Sequence, residues 1–459
     1  MKKFVYILSV FAILTGCGGT DNGELIGVED RERWYPSDPY GMVYIPMGNF
    51  RMGLNEQDVP YTLTAPTKSV SVAAFYMDQT EITNNEYRQF VQWVRDSIFR
   101  TYLAEDYIEG YEYKYQGEDA PKNPTYFEEY VELNYPDEIR NRLNWDVPIY
   151  WNVNDYPSEE YTDVIEEMYI PFEERYYGRR EIDARMLNYS YYWIDKQKAA
   201  KSRNRFDFNS QEYPGDIEGR YDFVVYENLN IFPDTLAWVH DYTYSFNDPW
   251  HDKYFWHPAY DEYPVVGVSW NQAKAFCNWR SRYRDSYLEG QQRPYENEFR
   301  LPTESEWEYA ARGGINGGMY PWGGPYIRNS KGCFLGNFKP TRGNYVDDGG
   351  FHTVKTTSYW PNEYGLYCMA GNVSEWTSTA YDPQTYHFAH DLQPNFEYNA
   401  KDSDPPVLKR KVIRGGSWKD IGAYLQVAAR DFEYQDTSKC YIGFRTVQTF
   451  MGRDLKDFQ

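Results

Sequence analysis

The chain has 459 residues, of which 41% are apolar and 25% charged, and this composition is typical of a globular protein rather than a disordered one. Acidic residues outnumber basic ones by 69 to 47, and the formal charge of −22 argues against a nucleic-acid partner because phosphate backbones are repelled. Aromatic residues make up 19% of the chain, 48 of them tyrosines, and this excess favours broad interaction surfaces.

The N-terminus carries the pattern of an export signal. Two lysines precede the apolar stretch Phe4–Leu14, which as a helix would rise about 16 Å, roughly half of a bilayer core, and so fits a signal peptide better than a membrane span. The string Leu14–Cys17 resembles a bacterial lipobox. We expect a signal peptide at 1–16, lipid attachment at Cys17 and a polar tether at 17–40; the alternative is a buried cysteine after an ordinary signal peptide.

The folded part begins near Gly41, and its first helix has a defined start. The loose alternation of Val70–Tyr76 predicts a strand. Thr83 and Glu86 have the spacing of a capping box, and apolar residues follow at helical spacing, so we predict a helix whose apolar face packs on a sheet. That face consists of Tyr87, Phe90, Val91 and Val94.

The stretch 98–262, called here the tyrosine-rich segment, differs in character from its surroundings. Residues 101–200 alone contain 17 tyrosines, together with many acidic residues, prolines and tryptophans. It is too aromatic for a flexible linker, so we predict a structured insertion of loops and short helices. Its surface is a candidate partner interface; the alternative is an insertion that only covers its own core.

Regular structure resumes after the tyrosine-rich segment. Ser269 with Gln272, and Thr303 with Glu306, predict two further capped helices. Glycine and proline then recur, and short strands separated by turns fill the rest, so the pattern predicts an α+β fold with few long elements. The apolar faces of the two helices contain Ala273, Phe276 and Cys277, and Trp307, Ala310 and Ala311.

Four cysteines remain in the chain after Cys17. An export signal would place them in a compartment where disulfides form, and four cysteines allow three pairings among which the sequence does not choose. They are Cys277, Cys333, Cys368 and Cys440.

The second half of the chain contains six short motifs in a fixed order, preceded by two near the N-terminus. The six are Tyr263–Trp270, Arg300–Gly314, Tyr320–Gly323, Gly365–Trp376, Arg414–Trp418 and Ile442–Arg445, and the two are Ile45–Gly53 and Asp78–Phe90. Together they resemble the formylglycine-generating, or sulfatase-modifying factor, family. The resemblance covers roughly 41–100 and 263–447, so we expect one domain at 41–459 that the tyrosine-rich segment interrupts, and it implies a loop-rich α+β fold related to C-type lectins.

The resemblance also bears on catalysis. The enzymatic members oxidise a substrate cysteine with a copper ion held by two cysteine thiolates, which are soft ligands suited to copper(I). In the family these cysteines lie between an Arg-Gly-Gly-Ser-Trp string and an Ala-Ala-Arg string, and here the matching loop, 419–426, contains no cysteine. We therefore expect no copper, no catalytic residue and a non-enzymatic protein. The alternatives are an oxygen-dependent oxidase with its metal elsewhere, and a glycan- or peptidoglycan-binding module.

Structural calcium is a further implication of the resemblance. Carboxylate and carbonyl oxygens are the ligands that this hard cation prefers, and the alternative at each site is a turn held by hydrogen bonds alone. Cys368 stands where many members have Asp or Asn, which weakens the case for the second site. The first site would use Asn337, the carbonyl of Phe338, and Asp348 or Asp347; the second would use the carbonyls of Gly371 and Val373 and the carboxylate of Glu375.

A narrower resemblance combines the lipobox, the joined opening motifs and the tyrosine-rich segment. Together these are similar to the GldK/PorK family of gliding-motility and type IX secretion lipoproteins, although the sister family GldJ shares the domain. The resemblance implies an outer-membrane lipoprotein that faces the periplasm and self-associates into a ring with a GldN/PorN-type partner. Such a ring could also touch peptidoglycan.

Overall fold

The computed structural model describes most of the folded chain. It covers residues 36–53, 64–106, 108–111, 115–116, 141–214, 216–241, 249–341, 346 and 350–452. The predicted signal peptide, Cys17, most of the tether, and Asp347 and Asp348 of the first predicted calcium site lie outside these residues. Within the covered residues, Asp38–Phe450 form one compact unit, and no helix there is long and apolar enough to cross a bilayer.

The strands are short, and they are numbered here in chain order. They are β1 (Met42–Ile45), β2 (Gly48–Met52), β3 (Lys68–Val72), β4 (Phe75–Asp78), β5 (Tyr115–Gln116), β6 (Asn141–Arg142), β7 (Asn188–Ile194), β8 (Val224–Asn230), β9 (Phe299–Arg300), β10 (Ser374–Ala380), β11 (Arg410–Arg414), β12 (Asp431–Tyr434), β13 (Ile442–Gly443) and β14 (Val447–Thr449). The strand predicted over Val70–Tyr76 is in fact two strands, β3 and β4, with a break at residues 73–74.

Among the described residues, two α-helices are long and the others are short. The α-helices are α1 (Asn84–Glu105), α2 (Glu159–Glu167), α3 (Lys196–Ala200), α4 (Ala237–Asp241), α5 (Pro249–Lys253), α6 (Trp270–Gly290), α7 (Glu304–Arg312) and α8 (Thr385–Phe388). Single 3-10 turns lie at Val153–Asp155, Phe172–Glu174, Tyr176–Gly178, Ala184–Met186, Ser202–Asn204, Arg220–Phe223, Pro258–Tyr260, Pro406–Lys409 and Gly422–Leu425. The mixed content agrees with the predicted α+β class.

Two four-stranded sheets form the framework of the described unit. One has the order β1-β4-β14-β9 and is antiparallel throughout, so the last strand of the described residues lies inside it. The other has the order β12-β11-β10-β13, in which β10 and β13 are parallel. Two-stranded pairs are formed by β2 with β3, β5 with β6, and β7 with β8.

The three predicted capping boxes are all present. Thr83, Ser269 and Thr303 each accept a hydrogen bond from the backbone N–H three residues later, and the side chain at that later position bonds back to the cap. Each box supplies partners for N–H groups that the first helical turn leaves unbonded, which fixes where α1, α6 and α7 begin.

The apolar face of α1 packs mainly on another helix and a strand of the tyrosine-rich segment. The ring of Tyr87 stacks on Phe276 of α6 at 5.6 Å between centroids, and Phe90 meets Tyr189 of β7 edge to face at 5.2 Å. These residues belong to one buried cluster that also contains Trp376 of β10 and Ile413 of β11. The prediction of burial for this face was right, while its main neighbours are α6 and β7.

The described parts of the tyrosine-rich segment pack against the rest of the unit. Tyr161, Val164 and Ile165 of α2 share a buried cluster with Phe99 and Leu103 of α1. The antiparallel pair of β7 and β8, with seven residues in each strand, lies on α6 and was not predicted from the sequence. The described parts of the segment therefore form helices and strands and contribute to the core.

Candidate functional site

The loop that follows β11 is the place where the resemblance puts the two catalytic cysteines. It turns sharply at Gly415 and Gly416, whose φ angles are 93° and 67°. A Cβ on Gly416 would lie 2.8 Å from the carbonyl oxygen of Tyr424, so a side chain there would collide with the far end of the same loop. Glycine is required at this position because both the left-handed backbone and the close approach exclude other residues.

Hydrogen bonds close this loop on itself. The backbone N–H and the hydroxyl of Ser417 both donate to the Asp420 carboxylate, at 2.9 and 2.7 Å. The Tyr320 hydroxyl donates to the carbonyl of Gly422 at 2.9 Å, and Leu425 is fully buried. The loop is thus anchored at both ends and in the middle, and Ser417 is engaged as a turn residue.

An aromatic cluster packs against the first part of the loop. Trp418 is buried and stacks on Trp238 of α4, with ring planes 14° apart and centroids 6.1 Å apart. His352 meets Trp418 edge to face at 5.1 Å, and Trp250 of α5 meets both His352 and Trp238. Trp238 and Trp250, from two helices of the tyrosine-rich segment, therefore share one aromatic cluster with Trp418 at the start of the loop.

Arg445 of the last sequence motif forms a buried ion pair with Glu375 of an earlier motif. Arg445 donates through Nε and Nη2 to the two carboxylate oxygens of Glu375, each at 2.7 Å, and Trp307 donates its indole N–H to the same carboxylate at 2.7 Å. All three side chains are fully buried. The geometry is bidentate, so this pair joins β10 to the segment between β13 and β14.

A second buried network joins α7 to the end of β11. Arg414 donates to Glu308 and to the carbonyl oxygens of Val427 and Ala429. Arg430 donates to both carboxylate oxygens of Glu304, at 2.5 and 3.0 Å. The conspicuous charged residues of the motifs therefore hold the fold together through hydrogen bonds within the protein, although the buried Nε of Arg414 has no partner among the described residues.

Sequence analysis missed Glu81, a fully buried carboxylate next to the first ion pair. It accepts hydrogen bonds from the Asn372 amide at 2.6 Å and from the backbone N–H of Val373 at 3.2 Å. Burial, and then the nearby charge of Glu375, raise the pKa of the Glu81 carboxyl well above its usual value. The sequence feature that could have indicated this buried carboxylate is an acidic residue directly before the apolar Ile82, in the connection between β4 and α1.

The first predicted calcium site is described only in part. Asn337 is buried, and its amide nitrogen donates to the carbonyl of His352 at 2.7 Å. Its Oδ1 is buried and has no hydrogen-bond partner among the described residues, so it is a suitable ligand atom for a hard cation. Phe338 follows it directly, whereas the predicted carboxylates Asp347 and Asp348 lie outside the described residues. Calcium at this site stays a prediction.

The second predicted calcium site fits a cation less well. Both oxygens of Glu375 already accept from Arg445, so a cation would have to displace a buried guanidinium. Gly371 has a φ of 82°, and a Cβ there would lie 2.3 Å from the carbonyl oxygen of Asn337, which explains the glycine without a metal. Val373 places its N–H on Glu81. This site also stays a prediction, with the hydrogen-bonded turn now favoured.

No disulfide joins Cys277, Cys333, Cys368 and Cys440 in the structure. Burial raises the pKa of the Cys277 and Cys368 thiols above the usual value, so both stay protonated at neutral pH. Cys368 donates to the carbonyl of Thr356 at 3.3 Å. Across the described ranges, no group of three or more His, Cys, Asp or Glu side chains is arranged to hold a metal ion.

Two hollows involve the tyrosine-rich segment. A cavity of about 190 Å³ lies between the β7 side of the hairpin and α6. A groove of about 820 Å³ lies between α1, the stretch 170–187 and α5, with Leu187, Phe232 and Trp256 among its apolar residues. Neither includes a residue of the loop 415–430 in its lining.

The chain is similar to known proteins over most of its length. The family model described as the sulfatase-modifying factor enzyme 1-like domain matches residues 32–450. Inactive C-alpha-formylglycine-generating enzyme 2 of Bos taurus is 36% identical over 191 residues, which cover 40% of this chain and 50% of that protein. The formylglycine-generating enzyme of Streptomyces coelicolor is 35% identical over 187 residues, covering 40% of this chain and 52% of that protein.

These curated relatives include an enzyme and an inactive protein, and the matched stretch spans about half of their length. Among solved structures, PvdO from Pseudomonas aeruginosa aligns over 89% of this chain and 94% of its own, with 16% sequence identity and a TM-score of 0.41.

Proposed function

The chain belongs to the sulfatase-modifying factor enzyme 1-like family, and from this premise we propose that it is a non-enzymatic member that serves as a structural component of an assembly. Fold membership alone does not decide activity, because activity depends on the residues of the site. The observation that carries the proposal is the loop 419–426, which has no cysteine and is closed by the Ser417–Asp420 contacts.

The aromatic cover over this loop supports the same proposal. An enzyme of the family needs an open approach for a substrate cysteine, whereas Trp238 stacks directly on Trp418 and Trp250 lies beside it. Both covering residues come from the tyrosine-rich segment. Their burial stabilises the unit by hydrophobic packing.

The surface of the tyrosine-rich segment supports a role in assembly. Phe172, Tyr176 and Tyr177 are 75%, 73% and 84% exposed and lie within six residues of each other. Glu174 and Arg179, from the same stretch, line the groove of about 820 Å³. Exposed aromatics next to a groove are the residues that dominate binding energy in protein interfaces.

The assembly we propose is a ring of the type IX secretion and gliding machinery, as in the GldK/PorK family. Lipid on Cys17 would hold the chain on the periplasmic side of the outer membrane, and a GldN/PorN-type partner would join the copies. A subunit with a formal charge of −22 repels its own copies at low salt, which favours a ring that needs a second protein over one made of this chain alone.

Catalysis is tested with the purified mature chain loaded with copper(I) and given a cysteine-containing peptide and dioxygen. We expect no formylglycine by mass spectrometry, while the Streptomyces coelicolor enzyme in parallel converts the peptide. Turnover by this chain would overturn the non-enzymatic proposal.

Assembly is tested by electron microscopy of the detergent-extracted chain with its partner. We expect large particles from the native chain, and their loss in the triple variant Phe172→Ser, Tyr176→Ser, Tyr177→Ser. The control is Trp360→Ser, which removes an aromatic that is 88% exposed on another part of the chain. A chain that stays monomeric with and without partner would refute the ring. Retention of Cys17→Ala in the membrane fraction would refute the lipid anchor.

A further inference from the structure

Residues 196–205, called here the basic strip, carry a charge opposite in sign to that of the whole chain. They contain five basic residues and no acidic one, whereas the formal charge of the chain is −22. The five are Lys196, Lys198, Lys201, Arg203 and Arg205. Charges act over a Debye length of about 8 Å in physiological salt, so the strip attracts anionic groups at its surface although the whole protein is acidic.

The basic strip is folded into one small lobe. Its first half is α3, which has five residues and is about 7.5 Å long, and the 3-10 turn Ser202–Asn204 follows. The side chain of Asn204 donates to the carbonyl of Lys198 at 2.8 Å, which joins the turn to the helix. Lys198 donates through Nζ to the carbonyl of Asp222 at 2.6 Å and so fixes the base of the lobe. The basic residues of the strip therefore form a single patch.

The side chains of this patch are available to a partner. Four of the five basic residues are exposed, and their side chains make no ion pair or hydrogen bond with any residue that the structure describes. These four are Lys196, Lys201, Arg203 and Arg205. The acidic residues at the two ends of the strip are engaged in local turns, since Asp195 accepts from the backbone N–H of Lys198 at 2.8 Å and Asp207 accepts from that of Asn209 at 2.9 Å.

An exposed aromatic ring follows the basic strip. Phe208 is 74% exposed and meets Phe206 edge to face at 5.3 Å, and Phe206 meets Tyr213 edge to face at 4.9 Å. Basic residues beside an exposed phenylalanine are typical of surfaces that bind the boundary between lipid headgroups and acyl chains. There the cations meet phosphate groups and the ring enters the apolar layer.

We propose that the basic strip and Phe208 dock on an anionic phospholipid surface. Lipid headgroups carry many negative charges and can move to meet each cation, which suits a patch of four unpaired cations. The inference rests on the proposed lipid anchor, because a chain held at the bilayer through Cys17 meets that surface at a high effective concentration. An acyl anchor combined with a basic patch gives more stable attachment than either alone, and the contact turns this face of the chain toward the bilayer.

The test is sedimentation with vesicles of the full mature chain in which Cys17→Ala removes the acyl group. We expect binding to an equal mixture of phosphatidylglycerol and phosphatidylcholine, and none to phosphatidylcholine alone. The variant Lys201→Gln, Arg203→Gln, Arg205→Gln should bind the mixture about a hundredfold more weakly, since each basic residue contributes a factor of about five. The matched control Arg293→Gln, Lys331→Gln, Lys401→Gln removes three exposed positive charges elsewhere and should bind as the parent chain does.

Two further measurements support the comparison. Circular dichroism checks that both triple variants are folded, which is expected because the replaced side chains are exposed. Vesicle binding of the parent chain should also fall steeply as the salt concentration rises, and this measurement needs no variant in the strip.

Four results would overturn the proposal: equal binding to both kinds of vesicle, binding that salt leaves unchanged, equal effects of the triple variant and its control, or a triple variant that keeps vesicle binding and loses its GldN/PorN-type partner. The last result would assign the strip to a protein contact. The ring and the anchor are read separately, from particle size and from membrane retention after a wash in about 1 M salt, which releases a chain held by the strip alone.

Discussion

Replacing Glu375 by glutamine should destabilise the protein strongly. The substitution keeps the shape of the side chain and removes its charge, so it tests the ion pair with Arg445 without creating a cavity. Arg445 is fully buried, and its guanidinium would lose the carboxylate that accepts two of its hydrogen bonds at 2.7 Å. A buried cation without its counter-charge is costly, because the low-dielectric interior cannot solvate it.

The size of the effect follows from two opposing contributions. Breaking a buried ion pair by removing one partner costs about 3–5 kcal/mol. The nearby Glu81 offsets part of this, because the charge of Glu375 raises its pKa and that repulsion disappears in the variant. We therefore expect a loss of about 3 kcal/mol in the free energy of unfolding. For the unit Asp38–Phe450, an unfolding entropy of about 2.1 cal/mol/K per residue converts this into a fall in Tm of about 3–4 °C.

Urea unfolding followed by circular dichroism and differential scanning calorimetry measure the two quantities. The matched control is Glu262→Gln, which breaks an ion pair with Lys355 at the surface, where the two side chains are 68% and 53% exposed. That variant should change the free energy of unfolding by less than about 1 kcal/mol.

A Glu375→Gln variant as stable as the native protein would refute the assignment of Glu375 to the ion pair. Calorimetry with EDTA separates the two roles considered for this residue. If Glu375 holds calcium, EDTA should lower the Tm of the native chain and have a smaller effect on the variant. If it serves Arg445 alone, EDTA should affect both proteins equally.

Two other substitutions test backbone strain and a buried charge. Gly371→Ala should lower the free energy of unfolding, measured in urea, by more than about 3 kcal/mol, because the new Cβ would lie 2.3 Å from the carbonyl oxygen of Asn337 and φ is unfavourable for alanine. The control Gly365→Ala has a similar φ of 83° but no atom near its Cβ, and it should cost about 1 kcal/mol. Equal losses in the two variants would contradict the predicted collision. Burial, and then the charge of Lys274, lower the pKa of Lys411 from 10.5 to about 7 in the folded protein. The unfolded chain binds this proton more tightly than the folded protein does. The free energy of unfolding should therefore rise between pH 7 and 10, by at most about 1.4 kcal/mol per pH unit. Lys411→Met should abolish that rise, and an unchanged pH profile in the variant would contradict it.

Local features of the fold could be predicted from the sequence, since their causes lie within a few residues. The three capping boxes needed only a Thr or Ser and a Glu or Gln three positions later, and all three are present. The burial of Phe90 and Phe276 followed from helical spacing. The break between β3 and β4 was missed because two alanines interrupt an alternation that otherwise continues.

The candidate site was less predictable, because its contacts join residues that are far apart in the chain. Sequence analysis identified the missing cysteines of the loop 419–426, but it gave no indication that Trp238 covers Trp418. Sequence analysis assigned Glu375 to a calcium site because of the motif in which it lies. In the structure Glu375 pairs with Arg445, which lies 70 residues away in another motif. Distances of this kind are set by the tertiary fold, and spacing within a motif does not encode them.

The central position of β14 has a consequence for when the protein can fold. This strand pairs with β4 on one side and β9 on the other, and Thr446, just before it, bonds to Asp78 across 368 residues of sequence. Until the ribosome has made β14, both neighbouring strands expose open edges that invite aggregation. Folding of this sheet therefore has to wait until β14 has been made, and a chain truncated before β14 should depend on chaperones to stay in solution.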